Sequence, residues 1–287
     1  MCGLAGEIRF DGGSVDVEAL ARMTSIQAPR GPDASGLFVQ DRIGFGHRRL
    51  KIMDLSQGSA QPMFDPMLGL GIVFNGAIYN HPELRRELEG KGYRFRSHGD
   101  TEVLLKAYHA WGEDFVSRLN GMFAFALWEQ ESGHVLLGRD RLGIKPLYWT
   151  ERPGRLRFAS TLPALLAGGD VDTTIDTEGL NHYLSFHAVV PPPHTIVAGV
   201  RKLAPGTLMR VAADGQRSEK TYWSLDYARS QEDESRSFDE WRDILLDALR
   251  GAVQRRLVAD VPVGALLSGG VDSSLIVGLM VEAGVQG

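Results

Sequence analysis

Met1-Cys2-Gly3-Leu4-Ala5-Gly6-Glu7-Ile8-Arg9-Phe10 opens the chain, and its reading decides the fold. Gly3–Phe10 is a short apolar run of strand character. Directly ahead of it sits Cys2, the single cysteine among 287 residues, so an internal disulfide and a multi-cysteine metal site are both excluded. A small second residue permits removal of Met1, which would leave a thiol and a free α-amine on one residue. An α-amine with a pKa near 8 can act as the base for its own side chain, and no histidine partner is then required. The competing reading is a chance cysteine buried in the first strand.

Outward from this start, the chain to about residue 221 alternates short apolar runs with glycine-marked turns. Strands are expected at Ile43–Leu50, Leu70–Phe74, Met122–Trp128, Val135–Gly138, Leu156–Ala159 and Leu208–Val211, and helices at Val17–Ile26, Pro82–Leu88 and Glu102–Leu119. Residues 129–134 and 213–216 read as hairpin connections, which argues against a purely parallel βαβ chain. Phe123, Phe125 and Trp128 are expected in the core. The 34 glycines, about 12% against a usual ~7%, call for many tight turns or close backbone approaches.

The composition narrows the function classes. Thirty-one Lys and Arg against 36 Asp and Glu give a net charge of −5 without a basic cluster, so no nucleic-acid partner is expected. No stretch of 18 apolar residues offers a membrane span. Glu7 and Arg9 interrupt what would be the apolar core of a signal peptide, and a cytoplasmic location is expected.

Asp226–Ser237 is polar and reads as a linker, and Ser237 with Glu240 forms a capping-box pattern for a following helix. Beyond it, an expected strand at Val261–Leu267, the turn Ser268-Gly269-Gly270-Val271-Asp272-Ser273-Ser274 and a helix at Ser273–Ala283 make one β-turn-α unit. Free N–H groups at such a turn suit a phosphate, although a glycine turn between strand and helix is also common.

Several further stretches carry chemistry. Arg30-Gly31-Pro32-Asp33 is a rigid turn, and His47-Arg48-Arg49-Leu50 ends a strand with cations. Asn75-Gly76 joins an amide side chain to a glycine N–H, a pair able to face an oxyanion. Asp100 stands at a helix start. Taken singly, Arg49 reads equally as a surface cation, Asn75-Gly76 as a tight turn and Asp100 as an N-cap. His47 reads as structural. His182, His187 and His194 lie in a proline-rich stretch without evident acidic partners and read as loop or packing residues, and Arg139-Asp140-Arg141 reads either as a functional loop or as an ion-paired turn joining strands.

In order, MCG at 1–3, RGPD at 30–33, HRRLKIMD at 47–54, NGAIYN at 75–80, GDTEV at 99–103 and GRDRLGIKPLY at 138–148 resemble the class II glutamine amidotransferase domain of the glutamine-hydrolysing asparagine synthetase family. SGGVDSS at 268–274 is similar to the pyrophosphatase-type loop of ATP-dependent adenylating enzymes. The resemblance implies an α+β fold: a four-layer αββα N-terminal-nucleophile hydrolase domain over residues 2–225. A linker follows at 226–237, and then, at 238–287, the first β-loop-α unit of an incomplete α/β adenine-nucleotide-hydrolase-like domain. One helix past the phosphate loop is too little for a complete ATP site, so the chain is expected to be a truncated piece supporting only the glutaminase half.

By the same resemblance, Cys2 is the nucleophile that releases ammonia from glutamine, and Asn75 with Gly76 forms the oxyanion hole. Arg49 holds the glutamine α-carboxylate and Asp100 its α-amine, while Leu50, Lys51, Ile52, Met53 and Ala77 line the site. Leu267, Ser268, Gly269, Gly270, Asp272, Ser273 and Ser274 would bind ATP, with Asp272 also on magnesium. The ammonia would attack an ATP-derived acyl-adenylate of a carboxylate acceptor, travelling through an enclosed passage. Ala77 departs from the family's usual NGEIYN, which loses one acid from the amine site. That departure, with the stretches at 158–169 and 183–196, is more similar to the amidotransferases acting on an N-acetylated glutamine dipeptide, and the acceptor stays open between aspartate and such a dipeptide. A homodimer stays open, as do a stand-alone glutaminase and a non-catalytic remnant of the fold.

Overall fold

A computed structural model describes residues 1–228 and 230–285. The chain divides into two compact units, Met1–Ser224 and Leu225–Gly287.

In the first unit twelve strands form two six-stranded sheets. One runs in the order β10 (Arg201–Lys202), β8 (Tyr148–Arg152), β9 (Arg155–Ala159), β1 (Gly3–Arg9), β3 (Ile43–Arg49), β2 (Ala34–Gln40). The other runs β12 (Arg217–Thr221), β11 (Thr207–Val211), β7 (Val135–Arg139), β6 (Gly121–Glu129), β5 (Leu70–Ile78), β4 (Met63–Asp65). All of the strand pairings are antiparallel, and the hairpins expected at 129–134 and 213–216 join β6 to β7 and β11 to β12.

Three apolar cores separate four layers. Between the sheets, Leu4, Ile8, Phe45, Val73, Ala124, Ala126, Leu137 and Met209 interlock. Outside the first sheet, α1 (Val17–Ser25) and α5 (Leu162–Gly168) cover Ala5 and Ala159 with Leu20, Met23 and Leu165. Outside the second, α2 (His81–Gly90), α3 (Asp100–Trp111) and α4 (Phe115–Arg118) bring Leu84, Leu88, Leu104 and Phe115 onto Ile72, Phe74, Phe123, Phe125 and Leu127. Because side chains alternate across a strand, β6 sends Phe123, Phe125 and Leu127 to the helices and Ala124, Ala126 and Trp128 to the other sheet. A strand buried on both faces reads as a continuous apolar run, which is why β5, β6 and β7 are evident in the sequence.

The structure corrects several expectations. The helix expected over Glu102–Leu119 is two helices, because Gly112 takes φ of +58° and a 3₁₀ turn over Gly112–Asp114 redirects the chain. Helices α5 and α6 (Thr177–Ser185) arise where none was expected, and Thr161 and Asp176 cap them by accepting from Ala164 N–H and Gly179 N–H. Arg139-Asp140-Arg141 is not held by ion pairing. Asp140 accepts the N–H groups of Phe123, Leu142, Ile144 and Lys145, and Arg139 donates to the carbonyls of Gly143, Lys145 and Leu203. His194 does have acidic neighbours, Asp176 at 3.6 Å and Glu178 at 3.5 Å. Even so, no cluster among the described residues is arranged for a metal ion.

The second unit contains α7 (Gln231–Ser235), α8 (Phe238–Arg256) and α9 (Val271–Glu282). Both Ser230–Asp233 and Ser237–Glu240 form complete capping boxes, so the stretch read as a linker carries a short helix. Val253, Leu279 and Met280 join α8 to α9. The strand expected at Val261–Leu267 is not formed, and Leu266 is 97% exposed. A strand needs a ladder partner, and no strand is found among the described residues of this unit. No helix among the described residues is long and apolar enough to cross a membrane.

Candidate active site

Cys2 lies at the head of β1, at one end of the sheet sandwich. Pairing of β1 with β3 sets Gly3 opposite Arg48 and so carries the thiol to the chain leaving β3. There the backbone N–H of Leu50 donates to Sγ at 3.4 Å, and Sγ lies 3.7 Å from the Leu50 carbonyl oxygen. Burial pushes the Cys2 thiol above its ordinary pKa. The Leu50 hydrogen bond, the terminal ammonium and Arg49 act in the opposite direction. Burial draws the amine of Met1 below its usual value.

The Arg30–Asp33 turn packs against this point. Arg30 donates from Nε to the Cys2 carbonyl at 3.0 Å, and Asp33 accepts the Lys51 N–H at 2.8 Å. Gly31 has to be glycine here: a Cβ would lie 2.3 Å from the carbonyl of Arg48. The turn thereby fixes both the backbone of Cys2 and the start of the 50–56 loop.

Arg49 is not a surface cation. It is buried, and its guanidinium donates to the carbonyls of Ser56 at 2.8 Å, Met53 at 3.4 Å and Asp54, so the loop carrying Leu50, Lys51, Ile52 and Met53 wraps around it. Asp54, at φ of +48°, accepts from Ser56 N–H, Ser59 Oγ–H and His98 N–H, bonds that hold its carboxyl well below the usual range despite the opposing cost of burial.

Asn75-Gly76 is not a tight turn but the interior of β5, in register with Ala124 and Phe123 of β6. Asn75 stands two residues beyond Val73, on the face that points at the other sheet, and its Nδ2 reaches Ser160 Oγ at 3.4 Å. The same oxygen accepts the N–H of Leu4 at 3.1 Å. Gly76 admits no side chain, since a Cβ would approach Met122 O to 2.3 Å. Ala77 follows, half-buried.

Asp100 is the first residue of α3 and not its cap; Gly99 is the cap, with no side-chain bond. Its buried carboxylate instead accepts the Ile78 N–H at 3.0 Å, joining α3 to the end of β5. Burial raises its pKa, and the Ile78 bond and His81 oppose that shift. His81 places Nδ1 2.8 Å from the Ile78 carbonyl. His47 is enclosed, with Nε2 3.0 Å from Phe74 O, and burial lowers its pKa to about 4. It bridges the two sheets.

In the second unit Gly270 caps α9, and Gly269 takes φ of +83°. Ser268 Oγ lies 2.9 Å from Ser273 Oγ, and Ser273 and Ser274 donate to the Gly270 carbonyl at 3.1 and 2.8 Å. Asp272 stands in the first helical turn, and Leu267 to Ser274 line an exposed bend. Amide and hydroxyl donors beside one carboxylate are a donor set that fits a phosphate with a divalent cation.

Sequence reasoning missed Ser160 and gave Arg30 no partner. For Ser160 the available signal was a small hydroxyl residue closing the apolar run 156–159, but its neighbour Asn75 lies 85 positions away.

Two stacked antiparallel sheets between helical layers, with a cysteine at the head of a central strand, define an N-terminal-nucleophile glutamine amidotransferase fold. The chain belongs to the glutamine amidotransferase domain family, whose model matches residues 1–223. Residues 245–285 match the asparagine synthase family model. Among curated relatives, asparagine synthetase [glutamine-hydrolyzing] 1 of Bacillus subtilis (strain 168) is 42% identical over 266 residues, covering 92% of this chain and 41% of the relative. Asparagine synthetase [glutamine-hydrolyzing] 3 of the same organism is 36% identical over 279 residues, covering 96% and 44%. The chain thus spans less than half the length of these relatives. Among solved structures, glutamine phosphoribosylpyrophosphate amidotransferase from B. subtilis superposes with a TM-score of 0.58 at 18% identity, covering 80% of this chain and 50% of that one.

Proposed function

We propose that Cys2, once Met1 is removed, hydrolyses the side-chain amide of glutamine. The observation that carries this reading is the thiol seated on the Leu50 amide within the fields of Arg49 and Asp100. The α-amine takes the thiol proton, and the thiolate attacks the γ-carbonyl carbon, whose oxygen becomes an oxyanion facing Asn75 Nδ2–H and Gly76 N–H. The C–N bond breaks, the amine returns the proton to the leaving nitrogen, and ammonia departs from a γ-glutamyl thioester. Water then cleaves the thioester to glutamate and free thiol.

Recognition of the substrate's zwitterionic end follows from charge. Arg49 answers the α-carboxylate and Asp100 the α-ammonium, with Leu50, Lys51, Ile52, Met53 and Ala77 lining the pocket. The absence of an acid at Ala77 leaves Asp100 as the main anion for the amine.

Joined to a complete synthetase domain, the glutaminase would deliver ammonia to amidate a carboxylate acceptor activated by ATP. Leu267, Ser268, Gly269, Gly270, Ser273 and Ser274 would hold the phosphates and Asp272 a magnesium ion. The match of residues 245–285 to asparagine synthase supports this half of the reading.

The test is ammonia release from glutamine by protein whose Met1 removal is verified by mass, together with labelling by a diazo-ketone glutamine analogue. Turnover and a label that disappears in Cys2→Ala are expected. Processed protein that neither turns over nor labels would overturn the glutaminase. ATP–pyrophosphate exchange dependent on a carboxylate acceptor, measured on the full-length protein, tests the second half.

A further inference from the structure

The oxyanion donor at Asn75 is a side-chain amide, so its usefulness depends on which way it faces. A nitrogen turned to the reacting carbonyl stabilises developing negative charge, and an oxygen turned there repels it. What fixes that choice lies in the opposite sheet. Ser160 follows β9, has no exposed surface, and is locked onto β1 twice: its N–H donates to the Leu4 carbonyl at 3.0 Å, and its Oγ accepts the Leu4 N–H at 3.1 Å. The other lone pair of that oxygen takes Asn75 Nδ2–H at 3.4 Å. Resting on the glutaminase reading above, we propose that Ser160 is a positioning residue. Its hydroxyl holds the Asn75 amide with nitrogen inward, so that the second N–H of Nδ2 faces the substrate oxyanion.

The arrangement also sets distance. Leu4 is two residues from the nucleophile, so one hydroxyl ties the strand carrying Cys2 to the strand carrying the oxyanion donor. Without the hydroxyl, Asn75 is free to turn over, and the Leu4 N–H loses its side-chain acceptor. Serine to alanine changes little volume, and the ladder bonds of β1 and β9 do not involve the hydroxyl.

The experiment compares glutaminase kinetics of wild type, S160A, N75A and the double variant. It is accompanied by thermal melting and by the rate at which iodoacetamide alkylates Cys2. We expect S160A to lower kcat about 10–30-fold, as loss of one oxyanion donor does when partial. KM and the alkylation rate should stay within about threefold, since substrate binding and thiol reactivity do not use this bond. In the N75A background S160A should have no further effect, because its target is gone. Either of two results overturns the proposal: kcat of S160A within twofold of wild type, or the same loss with and without Asn75. A parallel fall of alkylation and melting temperature with kcat would reduce Ser160 to a packing role and overturn it equally. Wild-type protein is measured first, so a failure of the glutaminase reading shows there as absent ammonia release and is distinct from these outcomes.

Discussion

Asp100 and Ile78 are joined by a 3.0 Å bond from the Ile78 N–H to the buried carboxylate, and this bond sets the first residue of α3 against the end of the strand that carries Asn75 and Gly76. A carboxylate so placed is costly to ionise without a cation beside it. Its pKa is raised by burial, so its contribution favours the folded state below the unfolded carboxyl's pKa and is lost as pH rises through the folded value. Asp100→Asn should therefore leave the free protein at least as stable as wild type at neutral pH. The same change removes the charge-assisted contact proposed for the glutamine ammonium and should raise KM by about tenfold or more. Melting curves and initial rates check both signs; a destabilised variant with unchanged KM would contradict the assignment.

Gly76 serves the packing of β5 on β6 as well as the proposed oxyanion hole. Gly76→Ala puts a methyl 2.3 Å from Met122 O and 2.7 Å from the Phe74 ring, so the strands must part. Overpacking of this kind costs about 1–3 kcal/mol. Urea denaturation should show that loss, with ammonia release falling further than stability does because the Gly76 N–H moves with the strand.

Legibility of the fold in the sequence tracked burial. Leu70–Phe74 and Met122–Trp128 stand between two apolar layers, and their continuous apolar character shows in the sequence. The strand Arg217–Thr221 (RSEKT) is exposed throughout and offers no pattern; it is a strand because β11 pairs with it. Ala34–Gln40 is half-buried at the other sheet's edge, with a glycine in the middle, and is equally quiet. The candidate site divides in the same way. Cys2, Arg49, Asn75 and Asp100 stand in motif stretches whose residue types suit the chemistry. Ser160 and the wrapping of Arg49 by the carbonyls at 53, 54 and 56 depend on pairings that local sequence does not encode.

Arg157 and Glu7 form a buried ion pair at 2.6 Å across the β9–β1 ladder, and Glu7 Oε1 also takes the Asp16 N–H at 2.9 Å. Arg157 donates further to the Gly168 carbonyl at 2.7 Å, which pins the end of α5. Arg157→Met strands a carboxylate with no exposed surface and should cost about 3–5 kcal/mol. Adding Glu7→Gln should recover part of the loss, because the uncompensated charge is then gone. A loss below about 1 kcal/mol in the single variant, read from urea midpoints, would mean Arg9, 3.9 Å from Glu7, supplies the needed charge.

His47 gives the molecule a stability that depends on acid. Burial, with Arg49 adding repulsion, lowers its pKa from 6.5 to about 4, while its bond to Phe74 O acts the other way. The folded state therefore holds the ring neutral where the unfolded chain protonates it. Between pH 6.5 and about 4 the unfolded state binds more protons, so stability rises with pH across that window. The contribution is complete above the unfolded pKa and declines as pH falls toward the folded one. Each tenfold change in proton affinity is worth about 1.4 kcal/mol, so the full difference is on the order of 3 kcal/mol. His47→Gln keeps an N–H for the Phe74 carbonyl but has no proton to gain. Its urea midpoint should change less than that of wild type between pH 7 and pH 4.5, even if it starts lower. Equal acid sensitivity in the two proteins would assign the effect to the buried carboxylates instead.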